Sequence, residues 1–190
     1  MEGKWVQRFI DRWTLGTVWI FLSLLWTLSS LFIITWLPAT IAVTAAMRRI
    51  DEGYLTVAME FFRTLIDRAV SGVLLGIPML LIGSLSWINI QIMVHSRHAF
   101  LAVLYTGFLV FFNVLLAGVI IQSIAALSIE KLRIRTILSI AWRAFIQSSV
   151  KTLIIACLII GVLVTSTKIP VVGILTDGSL IGWLILKTES

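Results

Sequence analysis

Asp177 is the one acid set deep in an otherwise apolar stretch, residues 169–186. A carboxylate near the centre of a bilayer often marks a proton or cation pathway, because burying it in hydrocarbon is expensive. The string Thr176-Asp177-Gly178-Ser179 also reads as a turn. It could break the last helix, cap a half-helix starting near Ser179, or lie close to the surface. The structural account is favoured, and Asp177→Asn is then expected to leave function intact. Four amides, Asn89, Gln91, Asn113 and Gln122, also fall inside apolar runs. Such side chains commonly bond from helix to helix, each contributing about 1 kcal/mol or less. That role is favoured over a substrate site. His95 and His98 flank Arg97 with no further ligand nearby, so they read as loop residues rather than a metal site. The single cysteine, Cys157, excludes an internal disulfide and a Cys-rich metal cluster. No GxSxG, HExxH, P-loop or pair of acids beside a histidine occurs. No enzyme, cofactor or metal centre is therefore expected, and no soluble domain is present to hold ATP.

The elements that position these residues follow from hydropathy. Residues 13–47 carry no charged side chain in 35 positions. A bilayer core of about 30 Å needs about 20 apolar helical residues, so this run is an intramembrane one. Further charge-free runs cover 69–94, 99–129 and 152–167, and residues 169–186 are interrupted by Asp177 alone. Hydrophobic residues make up 59% of the chain and charged residues 13%, which excludes an ordinary globular surface. The net charge of +6 is not a nucleic-acid signature, since Lys and Arg gather at the ends of the apolar runs. The expected fold is an all-α integral membrane protein with about five transmembrane helices. Pro38 falls inside the first run and predicts a kink there, the helix continuing toward Arg48 and Arg49.

An odd number of crossings places the termini on opposite sides. With segments 48–68 and 130–151 inside, ten basic residues lie inside against five outside. This favours an external N-terminus and a cytoplasmic C-terminus in the plasma membrane. Lys4, Arg8 and Arg12 pull the other way. In residues 1–12, Trp5 and Phe9 lie on one face with Trp13 beyond them, opposite charged residues. This stretch is either an interfacial helix or an extension of the first span.

The two inside segments are both amphipathic. In the first, Phe61 and Phe62 sit on an apolar face with Tyr54, Leu55, Ala58, Leu65 and Ile66. In the second, Trp142 and Phe145 share a similar stripe opposite Arg143. An offset of 83 residues aligns Ile41 with Ile124, Leu55 with Leu138 and Phe62 with Phe145. A parallel two-span repeat follows, with units 13–94 and 99–167 and a final span at 169–186. The linker helices either lie on the inner leaflet or present Phe61, Phe62, Trp142, Arg143 and Phe145 to a partner. Gly72 and Gly76 form a GxxxG that permits close helix approach.

The run Leu25-Trp26, then Trp36-Leu37-Pro38-Ala39-Thr40, Ala42, Arg48-Arg49, Glu52-Gly53-Tyr54 and Phe61-Phe62 resembles the YesL-like family of membrane proteins, a domain of unknown function. The C-terminal part fits more loosely, through Pro170 and Ser179-Leu180. The resemblance implies a small bacterial membrane protein of about five helices that accompanies carbohydrate uptake. The implied role is an accessory or regulatory subunit of an ABC importer for complex glycans, bound to its permeases through helices. It carries over no catalytic residue, and Asp177 is atypical of it. A small oligomeric transporter or channel is the alternative.

Overall fold

The computed structural model describes residues 2–94, 99–130 and 134–188, and all regular elements among them are helical. In order they are α1 (Glu2–Ser30), α2 (Trp36–Met47), α3 (Tyr54–Val94), α4 (Ala99–Ile129), α5 (Ile134–Gln147), α6 (Ser149–Lys168) and α7 (Pro170–Leu186). Single 3-10 turns at Ile33–Thr35 and Ile50–Glu52 flank α2.

The first apolar run is a hairpin, not one kinked helix. The chain leaves α1 at Ser30, and the Thr35 hydroxyl donates to the carbonyls of Ser29 and Phe32. The β-branched string Ile33-Ile34-Thr35 is a poor helix former. Pro38 then falls in the first turn of α2, where backbone N–H groups have no intrahelical partner and none is lost. Proline therefore helps to start a helix here instead of bending one. The return limb lies along α1: Trp26 Nε1–H donates to Thr40 Oγ1 at 3.0 Å, and the Phe21 and Tyr54 rings meet at 4.4 Å.

Helix α2 is about 18 Å long at 1.5 Å per residue, and every residue from Leu37 to Met47 is buried. A helix apolar on all sides belongs in the interior. Around it pack α1, α3, α4 and α7. Small residues let them come close: a Cβ on Gly72 of α3 would stand 2.8 Å from Pro38 Cγ and 2.9 Å from Pro38 N. Gly76 faces Leu37 one turn further on. At the far end, Arg48 Nε and Nη2 donate to Ser128 Oγ of α4 at 3.2 and 3.1 Å.

Helix α1 runs antiparallel to α7, since Thr27 Oγ1 donates to the Ile174 carbonyl and Ser23 Oγ to Ser179 Oγ. The N-terminus of α1 and the C-terminus of α7 therefore share one end of the bundle, contrary to the expected opposite sides. The α1–α2 hairpin is the cause, because it returns the chain to the side where it began. Residues 2–12 continue α1 without a break. The side chains of Trp5, Phe9 and Trp13, and all of His95, Arg97 and His98, lie outside the described residues.

By length and composition, Tyr54–Ile92 and Val103–Ile129 can each cross a membrane, and the bent pair α5–α6 adds a third if counted as one span. Thr14–Ser30, Trp36–Met47 and Gly173–Leu186 are apolar but shorter. The two amphipathic segments also differ. The first is the opening of α3 and continues into the charge-free part as one helix of 41 residues. The second, α5, turns by 102° into α6. The 83-residue register pairs exposed Phe62 with buried Phe145, and buried Phe61 with Ala144, so buried faces do not superpose on it.

Gly72→Val is expected to lower stability by about 1–3 kcal/mol through overpacking against Pro38. A Cβ on Gly107 would meet nothing within 4 Å, so alanine there should raise stability by up to about 1 kcal/mol through its helix propensity. Thermal unfolding in detergent measures both.

Candidate functional site

The residues singled out in the sequence fall into three separate places. Asp177 lies mid-helix in α7, with no turn or break at Thr176-Asp177-Gly178-Ser179, which corrects the turn reading. Apolar neighbours on both sides and packing on three helices override the local turn propensity of those four residues. Asp177 is 6% exposed and accepts a hydrogen bond from Ser166 Oγ of α6 at 2.7 Å. Among the described residues it takes part in none of the ion pairs, which join Arg49 to Glu52 and Glu60, and Arg63 to Asp67. A groove of about 290 Å³, open to the outside of the bundle, lies beside it between α1, α6 and α7. Two residues beyond Asp177, Ser179 closes the α1 contact: its N–H donates to Ser23 Oγ at 3.1 Å, and its hydroxyl donates to the Trp19 carbonyl.

The amides are dispersed. Asn113 of α4 donates to Ser86 Oγ of α3 at 2.9 Å and to its own Leu109 carbonyl. It borders a second cavity of about 250 Å³ among α3, α4 and α6. Gln122 of α4 donates to Thr152 Oγ1 at 2.8 Å and to Ser148 Oγ at 3.3 Å, and so fastens α4 to the α5–α6 corner. Asn89 donates to the Leu85 carbonyl on its own helix.

The aromatic candidates divide by face. Phe61 is fully buried in the core, along the Val57, Phe61 and Thr64 line of α3. Phe145 is also buried, its ring on the bare backbone of α4, where a Cβ on Gly118 would stand 2.5 Å from Phe145 Cε2. Neither is free to meet lipid or a partner, which corrects that reading for both. Phe62, Trp142 and Arg143 are exposed. Adjacent residues on a helix point about 100° apart, so Phe61 and Phe62 cannot serve the same face.

Sequence reasoning missed one surface. Leu55, Met59, Phe62, Ile66 and Val70 are all exposed, and Leu74, Ile77, Leu81, Leu85, Ile88 and Ile92 extend the same line. Their spacing of three and four residues makes one outward apolar stripe along the whole of α3. The signal lies in that spacing, but the charges Arg63, Asp67 and Arg68 divide the helix, in the sequence, into a linker and a span.

Leucine at Gln122 or Asn113 is expected to lower stability by about 1 kcal/mol, through loss of an interhelical bond. Asn89→Leu should leave it within about 0.5 kcal/mol. Unfolding midpoints of the three variants, taken side by side, test the distinction.

No curated protein and no solved structure matches the chain. A family model described as "Protein of unknown function, DUF624" matches residues 15–90, which run from α1 through the α1–α2 hairpin and most of α3. Over these residues the chain is similar to that family, the YesL-like family of membrane proteins.

Proposed function

We propose that this chain is an accessory membrane subunit that docks on other membrane proteins. The partner class implied by the family resemblance is the permease pair of a bacterial sugar importer. The observation that supports docking is the stripe on α3. From Leu55 to Ile92 it runs about 55 Å at 1.5 Å per residue. A bilayer core is about 30 Å thick, and about 40–45 Å with its headgroups. The apolar line thus outruns the bilayer. Its surplus is the end carrying Leu55, Met59 and Phe62, beyond the charged positions Arg63, Asp67 and Arg68. A partner helix covers that surplus.

No step of catalysis is assigned to any side chain. Transport by a single copy is not proposed either, because the two cavities lie in different helix triplets and the bridging amides are engaged in bonds between helices.

The end of the bundle where α1 begins faces the cytoplasm on this reading. Among the described residues, Arg48, Arg49, Arg63, Arg68, Arg135, Arg143, Lys151 and Lys187 stand toward that end, and Lys168 alone marks the other. The first half of α1, with Lys4, Arg8 and Arg12, enters from the same side. Whether the α1–α2 hairpin crosses twice or re-enters, both termini are cytoplasmic, and the N-terminal basic residues agree with the rest. Of the expected five spans, α3 and α4 have the length to cross and α5–α6 adds a third if counted as one, while α1, α2 and α7 contribute shorter apolar stretches.

Purification in mild detergent from cells expressing the importer should recover permeases in stoichiometric amount. Phe62→Asp and Met59→Asp should lose the permeases with an unchanged unfolding midpoint, whereas Phe61→Asp should lose the folded protein. Recovery of a lone oligomer that moves solute after reconstitution would replace this reading with the transporter one. Tags on both termini should be protected in intact cells, and an accessible N-terminal tag would refute the orientation.

A further inference from the structure

The cavity beside Asp177 is independent of the docking surface on α3, and its walls specify a ligand chemistry. They join Trp26 of α1, Leu163 and Ser166 of α6, and Gly173, Ile174 and Asp177 of α7. At about 290 Å³ it has room for a ligand of several heavy atoms rather than a single ion or water.

Three features define that ligand. First, Asp177 is almost wholly buried, receives one hydroxyl bond from Ser166, and enters no ion pair among the described residues. A carboxylate inside a membrane bundle without a counter-charge is costly, and an incoming cation relieves that cost. Second, Trp26 forms part of the wall, and its indole is fixed by the Nε1–H bond to Thr40. An indole face attracts cations, with organic ammonium groups among the best partners. Third, Leu163, Pro170 and Ile174 make the remaining wall apolar. Side-chain oxygens come only from Asp177, Ser166 and Thr27, too few for a hard divalent ion that takes about six or more oxygen ligands. Gly173 keeps the carboxylate accessible, since a Cβ there would stand 3.1 Å from Asp177 Oδ2 and 2.6 Å from Ser166 Cβ.

We infer that this cavity binds a primary ammonium group carried on an apolar body, with Asp177 as counter-charge, Trp26 as cation–π wall, and Leu163 and Ile174 against the apolar part. A free aliphatic amine and the headgroup of phosphatidylethanolamine share this chemistry.

The test titrates the full chain calorimetrically with hexylammonium chloride, in nanodiscs of phosphatidylglycerol alone. Saturable binding at one site is expected. Asp177→Asn, which keeps the Ser166 contact, should weaken it at least tenfold, and Trp26→Phe two- to fivefold. Hexanol, with the same body and no charge, should show no saturable binding. If Asp177→Asn does not fold, Trp26→Phe and the hexanol comparison decide. Repeating the titration with phosphatidylethanolamine in the disc separates the two sources: loss of hexylammonium binding by competition assigns the site to the lipid, and unchanged binding assigns it to a free amine. Equal affinity for hexanol, full binding by folded Asp177→Asn, or no saturable binding at all would overturn the inference.

Discussion

The enclosure of α2 is the constraint on which the rest of the molecule depends. Twelve residues with neither a polar face nor the length to cross a bilayer are stable only when other helices surround them. Alanines and threonines along α2 keep it narrow, and Thr40 and Thr44 turn their hydroxyls back onto the carbonyls of Trp36 and Thr40. From Leu37 to Met47 no side chain reaches outward for lipid, and α1, α3, α4 and α7 close around it. Gly72 and Gly76 permit the α3 approach, and a Cβ on Gly182 of α7 would already stand 2.8 Å from Val43 Cγ1.

Orientation and surface follow from that enclosure. Because α2 folds back along α1, the loop with Arg48 and Arg49 returns to the end where the chain started, and the Arg48–Ser128 bond sets the base of α4 beside it. The same fold-back leaves α3 packed on its inner face only. Val57 and Phe61 turn inward, and the line through Phe62 and Leu81 stays uncovered. The polar side chains deep in the bundle are distributed as fasteners, Gln122 at the α5–α6 corner and Asn113 between α3 and α4. Asp177 differs from them, because its one hydrogen-bond partner is a hydroxyl and it enters no ion pair among the described residues.

Much of this is legible in the residues, and the remainder is hidden for physical reasons. Charge-free runs mark the helices and their apolar character, and GxxxG marks the α3 approach. The turn at residues 31–35 escapes because Leu31, Phe32, Ile33 and Ile34 are as apolar as the helices they separate, so hydropathy carries no mark of a reversal. Its indirect trace is Lys4, Arg8 and Arg12, three charges on the wrong side of a five-span scheme. Asp177 looks like part of a turn because Asp-Gly-Ser favours one locally, yet packing against α1 and α6 decides the backbone there. Phe61 and Phe62 merge because an aromatic pair looks like one feature in a sequence, although a helix separates neighbours by a quarter-turn or more.

The short return limb also constrains biogenesis. A segment of twelve residues falls well below the length that holds a helix in hydrocarbon. It enters the membrane together with α1, as the second arm of a pair. Its other walls are synthesised later, and α7 last of all. Until α7 is in place, Gly182 has not yet covered Val43 and Thr44, and α2 is incompletely seated. Arrival of α7, and not that of the first long apolar stretch, therefore completes the enclosure of α2.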